Sequence, residues 1–209
     1  MQSDAAHNSS LTDIQSSLRL VAGEEAHGTG EDGVERARAW LEKTGRVNVN
    51  FTVYEVGAAG FLTFDDAKGS EYSFDLSGVL DLDEGKSTFY GEVKKYSVVG
   101  RQPDEYTEYL AKCYRAVVTS GHPHHFFWIT WHPFSQTKWT NLCTADEIRA
   151  ALETHQAKYC GADEIDNAAV TALADRLWLV VLSDRQEALS MSNAMLGELR
   201  RAATVAALP

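Results

Sequence analysis

No run of apolar residues in this chain approaches the ~20 that a membrane-spanning helix needs. The longest, residues 177–182, is strand-length. The N-terminus has no basic start leading into an apolar stretch, so no secretory leader is expected. Cysteine is scarce: Cys113, Cys143 and Cys160 are odd in number and form no CxxC pair. That excludes a disulfide framework and points to reduced thiols in a cytoplasmic protein. Positive charge is short as well, with 19 Lys and Arg against 30 Asp and Glu and a formal net charge of -11. A chain so acidic does not adhere broadly to DNA, and any nucleic-acid site must be a local basic patch. Internal repeats and low-complexity blocks are also missing, which excludes a solenoid.

What is present is an ordinary globular composition, 44% hydrophobic and 23% charged over 209 residues. That length suffices for one large domain with appendages. The acidic excess is heaviest in residues 1–32, where six acids face only Arg19. This stretch reads as a flexible N-terminal segment, with a short amphipathic helix over 11–22 from Leu11, Ile14, Leu18 and Val21. Residues 33–209 read as a single α/β domain, with a core at 33–132 and a C-terminal elaboration at 133–209.

The core opens with a helix from Val34, whose buried face is Val34, Ala37 and Leu41, stopped at Gly45. Strands are expected at 47–56, 71–82 and 86–99, the last two joined by a turn at Asp83-Glu84-Gly85. "FLTF" (61–64) extends or doubles the first strand. A helix over 105–121 follows, with Pro103 near its first turn, then an aromatic buried strand at 124–134. The order is α-β-β-β-α-β. Beyond it come a helix at 144–158 opened by Thr144 as N-cap with Glu147, a short helix at 166–175, a strand at 176–183 and a terminal helix.

Strand side chains alternate between faces, so Tyr90, Glu92, Lys94 and Tyr96 share one side. A hairpin centred on Asp83-Glu84 gives pairs whose numbers sum to 167, which sets Asp75 opposite Glu92. A one-residue slip would turn them to opposite faces. Aspartate is disfavoured inside a strand, so Asp75 in "YSFDLSGVL" is the sharper clue. Two neighbouring carboxylates repel, and a divalent cation resolves the repulsion. A lysine on the same face can orient or help deprotonate water and offset phosphate charge. The plainer reading of Glu92 and Lys94 is an edge strand with alternating charges. Against it, "FYGEVKKYSVV" is apolar on both sides.

Asp75 with Glu92-Val93-Lys94 resembles the D…(D/E)xK signature of the PD-(D/E)XK superfamily, the restriction-endonuclease-like nucleases. Phe74 stands where the usual proline would be. The α-β-β-β-α-β order is similar to that superfamily's core, and the resemblance spans residues 33–132. It implies an α/β fold with a mixed central sheet flanked by helices, and a metal-dependent endonuclease hydrolysing phosphodiester bonds. Asp75 and Glu92 would hold Mg²⁺ or Mn²⁺, and Lys94 would act on the attacking water or the developing charge. Many such nucleases carry a glutamate on the first core helix; Glu35 matches best, with Glu42 second. A role in restriction, repair or anti-phage defence goes with the resemblance.

His122, His124, His125 and His132 lack a zinc spacing and read as loop and strand-end residues. Phe126, Phe127, Trp128 and Trp131 read as core, with Trp139 the better candidate for stacking on a base. Tyr96, Arg101 and Gln102 follow the ExK and read as ordinary loop polarity, although they would flank a scissile phosphate in a nuclease. The expected partner is DNA, with RNA the lesser expectation, and a homodimer or a protein that brings the acidic chain to it. The alternative is a catalytically inactive nuclease-fold protein serving as a nucleic-acid-binding or protein-interaction module.

Overall fold

The computed structural model describes residues 30–96, 98–122 and 124–206. The helix expected at 11–22 lies outside them. The described residues open in a helix, α1, that covers residues 30–43, and Gly45 follows it with φ +75. β1 (Val47–Thr52) comes next, then α2 (Ala59–Leu62), β2 (Thr63–Asp65), β3 (Glu71–Ser73), β4 (Leu76–Leu82) and β5 (Gly85–Lys94). α3 (Gln102–Ser120) leads to β6 (His125–Thr130), α4 (Ala145–Tyr159), α5 (Asn167–Ala174), β7 (Leu177–Val181), α6 (Asp184–Ala188) and α7 (Asn193–Ala206). Pro103 sits in the first turn of α3, as expected. Thr144 caps α4 by accepting the Glu147 N–H, worth ~1 kcal/mol.

The main sheet is mixed, in the order β1-β4-β5-β6-β7. β4 runs antiparallel to β1 and β5, whereas β5, β6 and β7 are parallel. Helices flank both faces. α1 buries Val34, Ala37 and Leu41 against Val47, Val49, Leu80, Phe89, Val93 and Ile129. On the other face, α3, α4 and α5 cover Phe126 and Trp128 with Tyr106, Tyr109, Leu110, Ile148, Leu152 and Val170. Among the described residues, no helix is long and apolar enough to cross a membrane.

Four expectations need correction. "FLTF" does not extend β1: Leu62 closes α2, and Thr63–Asp65 pairs with Glu71–Ser73 in a separate two-stranded sheet. The strand expected over 71–82 is broken at Phe74 and Asp75, because the chain changes sheets there. The Phe74 N–H turns to the Leu62 carbonyl, while the Asp75 N–H already reaches Gly91 in the main sheet. β5 stops at Lys94 rather than continuing to 99, since its partner β6 ends at Thr130. The terminal helix is two helices, α6 and α7, with residues 189–192 between them.

The β4–β5 register is the one the turn dictates. Leu82 faces Gly85, Val79 faces Thr88 and Leu76 faces Gly91. Close approach at this end uses glycine: a Cβ on Gly91 would lie 2.8 Å from Leu76 Cδ1.

Candidate active site

Glu92 and Lys94 project from the last turn-free stretch of β5 toward α3, while Phe89 and Val93 join the α1 side of the core. Glu92 is buried at 8% exposure. Its Oε1 accepts Lys94 Nζ at 2.9 Å, and its Oε2 is buried with no hydrogen-bond partner. A carboxylate oxygen in that state is expensive to maintain, since an unsatisfied buried charged group loses its full hydration.

Asp75 reaches the same place from the bend before β4. Its backbone is fixed on both sides, with its N–H on the Gly91 carbonyl at 2.9 Å and its carbonyl on the Val53 N–H at 2.8 Å. Its Oδ2 accepts the Val93 N–H at 2.7 Å, which anchors the carboxylate beside Glu92. Asp75 is only half-buried by accessible area, yet protein surrounds its carboxyl at depth. That burial, and then the charge of Glu92, push it up to about 7, against the opposing pull of the Val93 N–H and Lys94. Burial alone would lower the Lys94 ammonium, but Glu92 and Asp75 together hold it above the usual lysine range.

The pair of carboxylates suits a hard divalent cation. Glu92 Oε2 lacks a partner, Asp75 Oδ2 is steadied by a backbone N–H, and the charge of Glu92 raises the cost of ionising Asp75. Among the described residues, no three His, Cys, Asp or Glu side chains gather as a ready metal cage. A cation here would have this pair as its protein ligands, a set that fits an ion keeping several of its waters.

Glu35 is not joined to the cluster by any hydrogen bond or ion pair among the described residues. It is exposed on α1, where its charge acts on Arg38. Glu42, the second choice, lies 3.5 Å from Arg38. The α1 acid that bears on this region is Glu31. Burial, then Asp75 and Glu31, raise the Tyr54 phenol above its usual range, with Lys94 opposing. α1 starts close by, since a Cβ on Gly30 would lie 2.5 Å from the Tyr54 hydroxyl.

Three further groups surround the cluster. Glu105, in the first turn of α3, stands 3.9 Å from Lys94 Nζ and accepts the Tyr96 hydroxyl at 3.0 Å. Gln102 is fully buried; its Oε1 accepts Thr130 Oγ1 at 2.7 Å and its Nε2 donates to the His132 carbonyl at 3.3 Å. Those bonds pin the start of α3 to the end of β6 and so place Glu105 over Lys94. The local sequence carries no signal for Glu105 or Tyr54. For Gln102 the only hint is an amide in a helix's first turn, directly before Pro103.

Beside the cluster, a cleft of about 910 Å³ opens over the C-terminal ends of β5, β6 and β7, walled by Tyr96, Arg101, Glu105, Trp131 and His132. Ligands of open α/β sheets commonly bind at such strand ends. The other aromatic and histidine candidates lie elsewhere. Phe126 and Trp128 are core, and Trp139, 37% exposed, sets its edge against Phe134. His125 accepts Trp178 Nε1 at 3.0 Å at the far end of the sheet, and His124 packs on Tyr90.

No protein-family model matches the chain, and neither the curated proteins nor the solved structures contain a significant match.

Proposed function

We propose that this chain is a divalent-cation-dependent nuclease of restriction-endonuclease-like fold that hydrolyses phosphodiester bonds in DNA. The observation that carries the proposal is the buried Glu92, with one oxygen on Lys94 and the other without a partner, beside an Asp75 of raised proton affinity. The main-sheet strands and their helices in the order α1-β1-β4-β5-α3-β6, with α2, β2 and β3 inserted after β1, Asp75 just before β4 and Glu92-Val93-Lys94 closing β5, support it. Asp75 and Glu92 hold Mg²⁺ or Mn²⁺, which when bound supplies charge neutralisation and an acidified water. Val93 N–H keeps the Asp75 carboxylate aimed. Lys94 lies within reach of both Glu92 and Glu105, so it can leave one acid for the other and present its ammonium to the charge that develops on phosphate.

A second reading has its own support. Lys94 already satisfies one oxygen of Glu92, as it would in an inert ion pair of a nuclease-fold binding module. Cleavage of plasmid and of circular single-stranded DNA in Mg²⁺ or Mn²⁺, wild type against Lys94→Ala, separates the two. Products that vanish in the variant establish the nuclease. With no products from either protein, Mn²⁺ titration of wild type and Asp75→Ala decides: absence of a site lost in the variant leaves the binding module.

A further inference from the structure

We infer that the strand-end cleft takes a single strand of DNA, so that an unpaired strand or frayed end, not an intact duplex, reaches Asp75, Glu92 and Lys94. This rests on the nuclease reading for the chemistry, but not for the binding.

The cleft meets the acid cluster through Glu105. Glu105 lines the cleft and stands 3.9 Å from Lys94 Nζ, and Tyr96, also on the wall, donates its hydroxyl to Glu105 at 3.0 Å. A strand lying across Tyr96 therefore passes the site.

Charge argues against a duplex. The cleft presents three formal cations, Arg36, Lys95 and Arg101. Arg36 is committed to Glu187 at 2.6 Å and to Asp184, and Lys95 is committed to Asp32. Arg101 is exposed, and among the described residues its side chain makes no ion pair or hydrogen bond. Duplex affinity grows with the number of phosphates neutralised. One uncommitted cation on a chain of net charge -11 cannot supply that number.

Shape and aromatic content argue for a single strand. A cleft of about 910 Å³ matches the bulk of a small ligand or a few nucleotides. Single strands bind by stacking bases on aromatic faces together with cationic contacts to the backbone. Tyr96 is 39% exposed on one wall. Trp131 is half-buried on the other, held by its indole N–H on Glu187 at 2.6 Å and by Arg36 at 5.3 Å from its ring. A base on Tyr96, a base at Trp131 and a phosphate on Arg101 fill the cleft.

The test is fluorescence anisotropy of labelled oligodeoxythymidine with the full chain in EDTA, where binding needs neither metal nor cleavage. The single strand should bind, with a log–log salt slope near ~-1, as one or two phosphate contacts require. A duplex of equal length should compete at least about tenfold more weakly. Arg101→Gln and Tyr96→Leu should each weaken binding roughly five- to tenfold, while Lys86→Gln, at the opposite end of the sheet, should bind like wild type. No binding, equal competition by duplex, or wild-type affinity in both cleft variants overturns the inference. Strand binding with no metal-dependent cleavage and no Mn²⁺ site lost in Asp75→Ala would instead sink the nuclease reading and leave the cleft assignment standing.

Discussion

Asp75 and Glu108 are both partly buried carboxyl groups, and their proton affinities move in opposite directions. Glu108, on α3, accepts Lys158 Nζ at 2.6 Å and the Tyr159 hydroxyl at 2.9 Å from α4. Burial alone would raise it, but those hydrogen bonds pull it down to about 2. Asp75 has a backbone N–H and a second acid beside it, and rises to about 7. The α3–α4 seam is thus a satisfied ion pair that joins two helices. The strand-end cluster is an unsatisfied one, with two acids sharing one lysine and an orphan oxygen on Glu92. A seam like the first needs no ligand. A site like the second is stabilised by one, which is the physical ground for assigning function to it and not to Glu108.

The contrast can be broken or sharpened by experiment. The largest effect should be on chemistry: Asp75→Ala and Lys94→Ala should each lower metal-dependent DNA cleavage by about 10²-fold or more, whereas Glu108→Gln should leave the rate unchanged. Equal losses in all three would erase the distinction.

Stability comes next. Lys94→Met strands Glu92 as a buried charge and should cost about 3 kcal/mol in a urea melt. Lys158→Met leaves Glu108 half-exposed with Tyr159 and should cost under about 1 kcal/mol. A reversed ranking would mean the cluster is solvated after all.

The pH dependence should have opposite signs at the two places. Between its ordinary value of 3.8 and about 7, folded Asp75 keeps a proton that the unfolded chain has lost. Its contribution to stability therefore falls as pH rises through that window. Asp75→Asn should remove this slope, and Mn²⁺ should stabilise the wild type above pH 7 but not the variant. Glu108 is depressed in the folded protein, so its contribution is full above its ordinary 4.5 and is lost as pH falls toward about 2. Unfolding free energy measured from acid to neutral pH, with Asp75→Asn and Glu108→Gln, checks both; parallel curves for wild type and Asp75→Asn would remove the raised acid.

The smallest effect belongs to Arg46, which meets Asp83 at 2.9 Å with both side chains more than half exposed. Arg46→Ala should shift the midpoint of the same melts least of all, to within its reproducibility. A larger loss would show that mere proximity of opposite charges carries more weight here than burial does.

Local pattern was enough to read much of the frame. The Val34, Ala37, Leu41 spacing marked the buried face of α1, and Asp83-Glu84 set a turn whose register runs back to Leu76 opposite Gly91, one residue short of Asp75. Alternation then put Glu92 and Lys94 on one face. These follow from the helix and strand periods, which act between near neighbours. The bend at Asp75 was not legible, because it comes from a change of sheet that depends on β2, whose first residue, Thr63, lies twelve residues earlier and pairs in a separate hairpin. Glu35 was chosen by helix position alone, whereas Glu31 is an α1 acid whose charge reaches Tyr54.

The sequence by itself determined which residue types stand at the strand end and which of them share a side, since a two-residue period and a tight turn leave little freedom. Only the tertiary structure decided that Glu92 is buried with an unpartnered oxygen, that Gln102 locks α3 so that Glu105 overhangs Lys94, and that Tyr96, Arg101 and Trp131 wall one cleft. Those contacts join segments far apart in the chain, and burial and solvation exist only once the segments have packed.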